Sequence, residues 1–167
     1  MILKEISNED LAKIQLWNER DRIELQTCRP VLNNSPVKRT NDVFNFLFYI
    51  DEITDPAGKI FYFDVNERNR SCEFGYTVNP DYRNRGIGKK MLEEFIALMF
   101  GKMNFNKLYA QTAQFNTPSV KLLESLGFKK DGVLREHHEL DGKLYDDFIF
   151  SILCSEWKDL RSGRNTT

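Results

Sequence analysis

The stretch from Ser71 to Phe100 constrains the fold of this chain more than any other part. A strand-like run, Ser71–Val78, leads through a turn at Asn79-Pro80 into the basic segment Arg83–Lys90, which opens a helix-like run. The first backbone N–H groups of a helix have no partner inside the helix, and the helix dipole places partial positive charge there. A strand, a glycine-containing turn and a helix start in this order predict a phosphate-binding site.

The composition of this turn supports the same interpretation. Gly86 and Gly88 allow the backbone to approach a ligand closely and to adopt unusual dihedral angles. The flanking cations are Arg83, Arg85, Lys89 and Lys90. The segment lacks the first glycine of the dinucleotide-binding pattern and does not match a Walker A loop. We interpret it as a pyrophosphate site, and the alternative is an ordinary turn with a solvated, basic helix start.

Length, charge and cysteine usage limit the class of protein. The 167 residues predict a single domain over 1–160, with a disordered tail over 161–167. A net charge of −1 argues against a nucleic-acid partner. No apolar run approaches the roughly 20 residues that span a bilayer, and no signal peptide is recognisable, so we expect a cytoplasmic protein without a membrane partner. Cys28, Cys72 and Cys154 are predicted to be buried thiols rather than disulfides or metal ligands, so no metal is expected.

Hydrophobic patterning predicts a mixed α/β domain. The expected strands are Ile2–Ile6, Phe44–Ile53, Lys59–Val65, Ser71–Val78, Leu108–Thr112, Val133–Leu140 and Leu144–Leu153. Short connections between the second, third and fourth strands indicate an antiparallel meander, and Asp141-Gly142 predicts a closing hairpin. The phenylalanines of this region (Phe44, Phe46, Phe48, Phe61 and Phe63) are expected to be core and cleft wall.

Three helices are expected between these strands. One begins at Ser7 or Asn8 and carries Leu11, Ile14 and Trp17 at helical spacing. A second covers 86–100. A third is capped by Asn116 or Thr117 and ends at Gly127. Residues 19–41 give no clear pattern because Pro30 and Pro36 interrupt them, and Trp157 and Leu160 are expected to pack a short tail.

This order of elements, with Arg83-x-x-Gly86-x-Gly88 between the fourth strand and the next helix, resembles the GCN5-related N-acetyltransferase (GNAT) family. A second, independent match is the segment Asn116-x-x-Ser119, followed by Gly127-Phe128, which is similar to the family's motif downstream. The ending Asp131-Gly132, Asp141-Gly142-Lys143 and Tyr145-Asp146-Asp147 resembles the branch that acetylates ribosomal-protein N-termini. The two motifs together are more specific than either alone.

The resemblance implies a central, mostly antiparallel, twisted sheet with flanking helices, in which the fourth and fifth strands splay apart to hold acetyl-CoA. Backbone groups near Val78 would pair with the pantetheine arm, and N–H groups of the basic turn would hold the pyrophosphate. The implied cofactor-binding residues are Val78, Arg83, Asn84, Arg85, Gly86, Ile87, Gly88, Lys89, Asn116 and Ser119.

Acetyl transfer to an amine requires a base that removes a proton from the amine and a group that protonates the leaving thiolate. Many family members place a tyrosine acid four residues after the serine, but this chain has Leu123 there. In the ribosomal-protein branch the serine itself acts on the sulfur, so the resemblance assigns this role to Ser119. The alternative is that Ser119 is only a first-turn helix residue.

The base has two candidates. His138 aligns with the residue that the ribosomal-protein branch uses as base, and imidazole titrates close to neutral pH. His137 and His138 lie on opposite faces if 133–140 is a strand, so at most one faces the cleft. Glu73, on the strand beside the expected cofactor, is the rival. Tyr76 and Tyr145 are more typical of packed strand aromatics than of proton donors.

The resulting hypothesis is an acetyl-CoA-dependent N-acetyltransferase that acts by direct transfer to a primary amine, without a metal. The acceptor stays open between a protein N-terminus and a small amine such as an amino sugar, a polyamine or an antibiotic. Residues 19–41, with Arg20, Asp21, Arg22, Glu24 and Arg29, are expected to set the preference. The competing hypothesis is a catalytically silent acyl-CoA-binding sensor, which Leu123 favours. A homodimer is compatible with the resemblance.

Overall fold

The computed structural model describes residues 2–5, 10, 14, 17, 43–49 and 56–163. These ranges contain the strands β1 (Ile2–Glu5), β2 (Phe44–Tyr49), β3 (Gly58–Asn66), β4 (Ser71–Val78), β5 (Lys107–Ala113), β6 (Lys129–Leu140) and β7 (Lys143–Leu153). They also contain the helices α1 (Ile87–Gly101), α2 (Thr117–Ser125) and α3 (Cys154–Ser162), with a short 3₁₀ turn at Pro80–Tyr82. From β2 onward the predicted order of elements is confirmed, and α3 extends it by one helix.

The described strands form one mixed sheet in the order β1-β2-β3-β4-β5-β7-β6. The three pairs among β1, β2, β3 and β4 are antiparallel, which confirms the predicted meander. Strands β6 and β7 form the predicted hairpin, and its turn residues Asp141 and Gly142 have φ angles of 54° and 78°. Two consecutive residues with positive φ match the twist of antiparallel strands, and Asp-Gly is a pair that adopts this turn readily.

A wedge-shaped gap opens between β4 and β5, the one parallel pair among the described strands. They pair only at their first residues, with Ser71 opposite Lys107, Cys72 opposite Leu108 and Glu73 opposite Tyr109. Beyond Glu73, β4 continues in register with β3 alone, and β5 continues in register with β7 alone. The predicted splay of the fourth and fifth strands is therefore present, with its closed end near Glu73.

The main core lies between α1, α2 and one face of the sheet, which we call the helix face. Cys72 and Phe74 of β4 are buried there, and Tyr76 packs against the same cluster. Helix α1 contributes a stripe of buried side chains: Ile87, Met91, Leu92, Phe95, Ile96, Met99 and Phe100. Each such side chain contributes roughly 1.5–3 kcal/mol on burial, so this amphipathic stripe anchors the helix that begins at the basic turn.

The other side of the sheet, which we call the opposite face, carries the alternate residues of each strand. A small cluster of Ile14, Trp17 and Leu47 is buried on it. Ile14 and Trp17 are helical, as predicted. Ser7, Asn8 and Leu11 of that predicted helix lie outside the described residues, as do residues 19–41 with their acceptor candidates and the end of the predicted strand at Ile53.

The aromatic residues of β2 and β3 divide between the two faces. Phe48 is fully buried in the main core, and Phe46 packs against that core. Phe61 and Phe63 stack at 5.8 Å between ring centroids. The Phe61 ring occupies the space beside Gly75 where a side chain on β4 would stand. The set is therefore structural, as predicted, although Phe44 is exposed at the start of β2.

The C-terminal helix closes the end of the core. Trp157 is buried in the main cluster, and Leu160 fills the space beside Gly127, so both predicted contacts of the tail are present. Gly127, with φ of 89°, follows α2 as a left-handed C-terminal residue. Helix α3 continues to Ser162, so the first residues of the predicted disordered tail are helical, and 164–167 lie outside the described residues.

The described cysteines are free thiols. Cys72 is fully buried, and this burial raises its pKa to about 12, so it is a packed thiol rather than a nucleophile. Cys154 is half-buried at the start of α3, and Cys28 lies outside the described residues. Within those residues no group of three or more His, Cys, Asp or Glu side chains is placed to hold a metal ion. No described helix is long and apolar enough to cross a membrane.

Candidate active site

The turn between β4 and α1 has the geometry of an anion site. Asn79, buried after β4, bonds to the Pro56 carbonyl through its side chain at 3.2 Å and accepts from the Asp81 N–H at 3.1 Å, which fixes the turn. Asn84 and Gly86 then adopt positive φ angles of 60° and 73°. Gly86 is the N-cap of α1 and supplies no side chain to bond the first N–H groups of the helix. Those groups are therefore available to a phosphate.

The basic residues of this turn differ in their surroundings: one is hydrogen-bonded within the protein, and the others are exposed to solvent. Arg83 donates from Nε to the Val78 carbonyl at 3.2 Å and so ties the turn to the end of β4. Among the backbone groups near Val78 that the resemblance pairs with pantetheine, the Val78 carbonyl thus has an internal partner. The side chains of Arg85 and Lys89 are exposed to solvent around the helix start.

Gly88 sets the distance between the turn and α2. A Cβ atom at Gly88 would lie 3.1 Å from Leu122 Cδ2 and 3.2 Å from Val78 Cγ2. These distances are tighter than ordinary van der Waals contact, so a larger residue would push α1 away from both neighbours. Gly86 is different, because nothing lies within 4 Å of its Cβ position and only its left-handed backbone favours glycine.

The start of α2 stands beside the wide end of the gap. The Asn116 side chain accepts from the Ser119 N–H at 3.4 Å, which is the N-cap arrangement predicted from the sequence. The Ser119 hydroxyl lies 2.8 Å from the Tyr76 hydroxyl of β4. Burial raises the pKa of Tyr76 to about 12, and the bond to Ser119 opposes that effect in part. One hydrogen bond thus connects β4 to α2.

The surroundings of Leu123 explain why position 123 of α2 holds a leucine and not a tyrosine. Its side chain is fully buried, and it belongs to the main core together with Phe74 and Phe128. A hydroxyl at Leu123 would lose its hydrogen bonds to water inside this apolar cluster, which costs free energy. The leucine is therefore a packing residue, and its presence does not argue for a silent module.

A polar strip crosses the opposite face at the same level of the sheet. Glu73 and Tyr109 are register partners across the closed end of the gap, so their side chains share this face. Tyr109 donates to Asp64 Oδ2 at 2.8 Å. Its pKa is raised first by burial, then by the bond to Asp64, and further by the charge of Glu73. Because the two residues are register partners, the Glu73 carboxylate lies on the same face as the Tyr109 ring.

The strip continues across β5, β7 and β6. Gln111 donates from Nε2 to Asp147 Oδ2 at 2.7 Å, and the other carboxylate oxygen lies 3.6 Å from His138 Nδ1. Asp147 has no exposed area, and His138 is 7 % exposed. The Phe115 ring packs edge-on against His138 at 5.0 Å and against Tyr145 at 4.9 Å. Because Phe115 precedes the cap of α2, His138 lies toward the wide end of the gap.

The predicted site residues lie on different faces and at different distances from the gap, since Glu73 is on β4, Ser119 bonds to β4, and His138 stands on β6, with β7 between it and β5. Ser119 lies with the helix face, and Glu73 and His138 lie on the opposite face. His138 is buried while His137 is exposed, as strand alternation predicts. Sequence reasoning missed the hydroxyl contact of Tyr76 and the carboxylate contact of Asp147. For Asp147, the polar residue pattern of the last hairpin was visible as a motif, although its role was not.

The arrangement suits the transfer of an acyl group between a thioester and an amine. The helix N-terminus and the splayed strands can hold a long phosphorylated thiol between them. Hydroxyl groups on one side can donate to sulfur, and carboxylates with an imidazole on the other side can attract an ammonium group and take its proton.

Comparisons with known proteins agree with this geometry. The family model of the acetyltransferase (GNAT) domain matches residues 1–129, well over half of the chain. The uncharacterized N-acetyltransferase p20 of Bacillus licheniformis is 25% identical over 168 residues, which cover 94% of this chain and 94% of that protein. The [ribosomal protein uS5]-alanine N-acetyltransferase of Escherichia coli is 24% identical over 87 residues, which cover 52% of this chain and 45% of that protein.

A solved structure shares the fold. The crystal structure of spermidine N-acetyltransferase from Vibrio cholerae, in complex with CoA and spermine, matches with a TM-score of 0.82 and 21% identity. The match covers 94% of this chain and 97% of that one. With the splayed strands, the glycine turn and the family match over residues 1–129 together, the chain belongs to the GCN5-related N-acetyltransferase (GNAT) family and is an N-acetyltransferase that takes its acetyl group from acetyl-CoA.

Proposed function

We propose that the enzyme transfers the acetyl group directly to a primary amine that carries further positive charge. The observation that supports this most strongly is the division of the gap, with the hydroxyl of Ser119 on one side and the polar strip on the other. In direct transfer the amine attacks the thioester carbonyl while the thiolate leaves, so the two proton transfers need separate partners. Holding the amine and the thioester in contact supplies much of the remaining catalysis.

The charge of the polar strip supports a cationic acceptor. Asp64, Glu73 and Asp147 carry carboxylates on or beside it. One described cation of this face, Lys107 of β5, is paired with Asp131 at 2.7 Å. A polyamine and a basic protein N-terminus both present a primary amine next to other positive charges. The names of the related spermidine and ribosomal-protein acetyltransferases are consistent with both.

We assign His138 as the general base and Glu73 as the group that attracts the acceptor. Asp147 lies 3.6 Å from His138 Nδ1, and a carboxylate beside this nitrogen favours the tautomer that carries its proton on Nδ1, in which Nε2 is the acceptor nitrogen. Glu73 stands where β4 and β5 are still paired, at the closed end of the gap. A carboxylate there is better placed to hold an ammonium group than to take a proton at the wide end.

The test is thiol release from acetyl-CoA with a panel of amines. The panel contains spermidine, spermine, basic and neutral peptides with free N-termini, amino sugars, aminoglycosides and amino acids. Each amine has a matched control in which the primary amine is blocked by acetylation. CoA binding is followed in parallel through the thermal unfolding midpoint, since a ligand that binds only the folded state raises it.

We expect thiol release with cationic amines and none with their blocked counterparts. Release with polyamines alone or with basic peptides alone would identify the acceptor class. Release only with neutral amines would contradict the proposed role of the carboxylates. A rise in the unfolding midpoint with CoA, without release from any amine, would contradict the proposed acceptor classes while leaving cofactor binding intact.

A further inference from the structure

The hydrogen bond between Tyr76 and Ser119 joins residues that are 43 positions apart in the chain, at 2.8 Å between their hydroxyl oxygens. Tyr76 reaches it from the helix face of β4, where its ring stacks against Phe74 with 6.4 Å between centroids. Ser119 reaches it from the first turn of α2, where Asn116 fixes the backbone. Both hydroxyls are therefore held by rigid elements on the two sides of the gap.

Either hydroxyl can be the donor of this bond, and we take the Tyr76 phenol as the donor because it is the more acidic of the two. Burial raises its pKa to about 12, so the phenol is protonated near neutral pH. A serine hydroxyl has one proton and two lone pairs. When the phenol donates to the serine oxygen, the serine proton is free to point to a third group. The same bond makes the serine a better donor, because hydrogen bonds in a chain polarise one another.

The third group expected at this place is the sulfur of the acetyl donor. Ser119 is the residue that the family resemblance places near the thioester. Position 123 of α2, where many family members have a tyrosine, holds Leu123 in this chain. Tyr76 brings a phenol to the same serine from the strand instead. Its ring packs against the core that contains Leu123.

We propose that Tyr76 is a positioning residue for Ser119 and, through it, the proton source for the thiolate that leaves during acetyl transfer. This rests on the proposed function. The amine nitrogen forms the new bond to the carbonyl carbon, and the carbon–sulfur bond breaks with its electron pair on sulfur. The Ser119 proton moves to sulfur and the Tyr76 proton moves to Ser119. The proton lost by the amine leaves through the base and returns to the phenolate through solvent.

The test compares CoA with desulfo-CoA, which lacks the sulfur, so it needs no acceptor. Dissociation constants are measured by calorimetry at pH 9, where part of the thiol population is ionised, since a cysteine-type thiol has a free pKa of about 8.5. The proteins are the full-length wild type, Tyr76→Phe, Ser119→Ala and Ser119→Thr, which keeps a hydroxyl. Tyr82→Phe is the matched control, because Tyr82 is another half-buried tyrosine near the turn.

We expect the wild type to prefer CoA over desulfo-CoA by roughly tenfold, since bonds to a charged sulfur are strong. Tyr76→Phe and Ser119→Ala should remove most of this preference while the affinity for desulfo-CoA stays unchanged. Ser119→Thr and Tyr82→Phe should retain it. With an accepted amine, Tyr76→Phe should lower kcat by about tenfold to 100-fold. The double variant should be no slower than Ser119→Ala alone.

Other outcomes separate the inference from the proposed function. An unchanged preference in Tyr76→Phe and Ser119→Ala would overturn the inference and leave acetyl transfer standing. Equal losses of affinity for both ligands would show that the bond only holds the gap in shape, which also overturns it. If the wild type bound neither ligand, the proposed function would fail and the inference with it. If Tyr76→Phe did not fold, a preference lost in Ser119→Ala and kept in Ser119→Thr would support the proton path through Ser119, and an unchanged preference in Ser119→Ala would overturn the inference.

Discussion

The two faces of the sheet differ in the number and type of polar side chains that they carry near the gap. On the helix face, Tyr76 and Ser119 form one hydroxyl pair at the border of an apolar core that includes Leu123. On the opposite face, polar side chains form a strip from Glu73 across β5 to His138. Acetyl transfer must release a proton from the amine and deliver one to the thiolate. The sheet can therefore separate the two proton transfers. Neutral hydroxyl donors lie on one face, and groups that accept protons lie on the other.

The largest effect is expected on the opposite face. Replacement of the proposed base by His138→Gln should lower kcat by about 100-fold to 1000-fold, within the range typical of general bases. Glu73→Gln should mainly raise the KM for the cationic acceptor. His137→Gln is the matched control, because His137 is exposed beside the same strand position. Steady-state kinetics with the accepted amine measure all three. A larger loss of kcat in Glu73→Gln than in His138→Gln would reverse the assignment.

A smaller effect should follow from Asp147→Asn. The substitution keeps an oxygen for the bond from Gln111 but removes the charge near His138 Nδ1. We expect kcat to fall by about tenfold, because the variant lacks the negative charge that attracts the imidazolium formed during the reaction, with CoA affinity unchanged. Kinetics and calorimetry check this, with thermal unfolding to confirm the fold. Parallel losses of kcat and CoA affinity would mean that Asp147 supports the whole gap and not the histidine.

The cofactor turn borders both faces, and its two glycines should respond differently. Gly88→Val places side-chain atoms against Leu122 and Val78, so it should raise the Kd for CoA by about tenfold and destabilise the fold by about 1–3 kcal/mol. Gly86→Ala meets no neighbour and should cost about 1 kcal/mol for its left-handed backbone. Calorimetry and denaturant unfolding measure both. Equal losses of affinity would show that backbone conformation, not helix spacing, limits binding.

The smallest effect is expected at the edge of the opposite face. The Lys107 ammonium, followed by the Ser151 hydroxyl, holds the pKa of Asp131 below its usual range. The folded state therefore gains stability above the unfolded pKa of aspartate, and this gain is lost as pH falls through the lower folded value. Because the pair is exposed, Asp131→Asn should lower the unfolding free energy at pH 7 by about 0.5 kcal/mol or less. Denaturant unfolding at several pH values should show the difference vanishing in acid.

Elements with strong local signals were predictable from the sequence. The strand Ser71–Val78 has the predicted bounds, and Asn116 caps α2 as expected, because a cap and an alternating strand depend on neighbours in the chain. The glycine turn and its positive φ angles also follow from local chemistry. The resemblance to the family then gave the gap between β4 and β5, which no local pattern indicates.

The contacts that define the chemistry were less predictable. Tyr76 and Ser119 meet only because β4 and β5 separate and α2 begins at the opening. Asp147 meets His138 only because β6 is irregular between Leu134 and His138. Such contacts depend on register and on the relative placement of elements, and alternation of polar and apolar residues does not specify either.

The irregular segment of β6 also separates the hairpin tip from the rest of the sheet. Between the pairs Leu134–Asp147 and His138–Tyr145, four residue steps on β6 face two on β7. The Glu136 N–H bonds to Asp146 at 2.9 Å across this bulge. The register of His138 with β7 is therefore set by the tight turn at the hairpin tip, because the bulge interrupts the register with the first half of β6. We expect evolution to lengthen or shorten β6 below the bulge, or to exchange the whole tip, without moving the strands that border the gap.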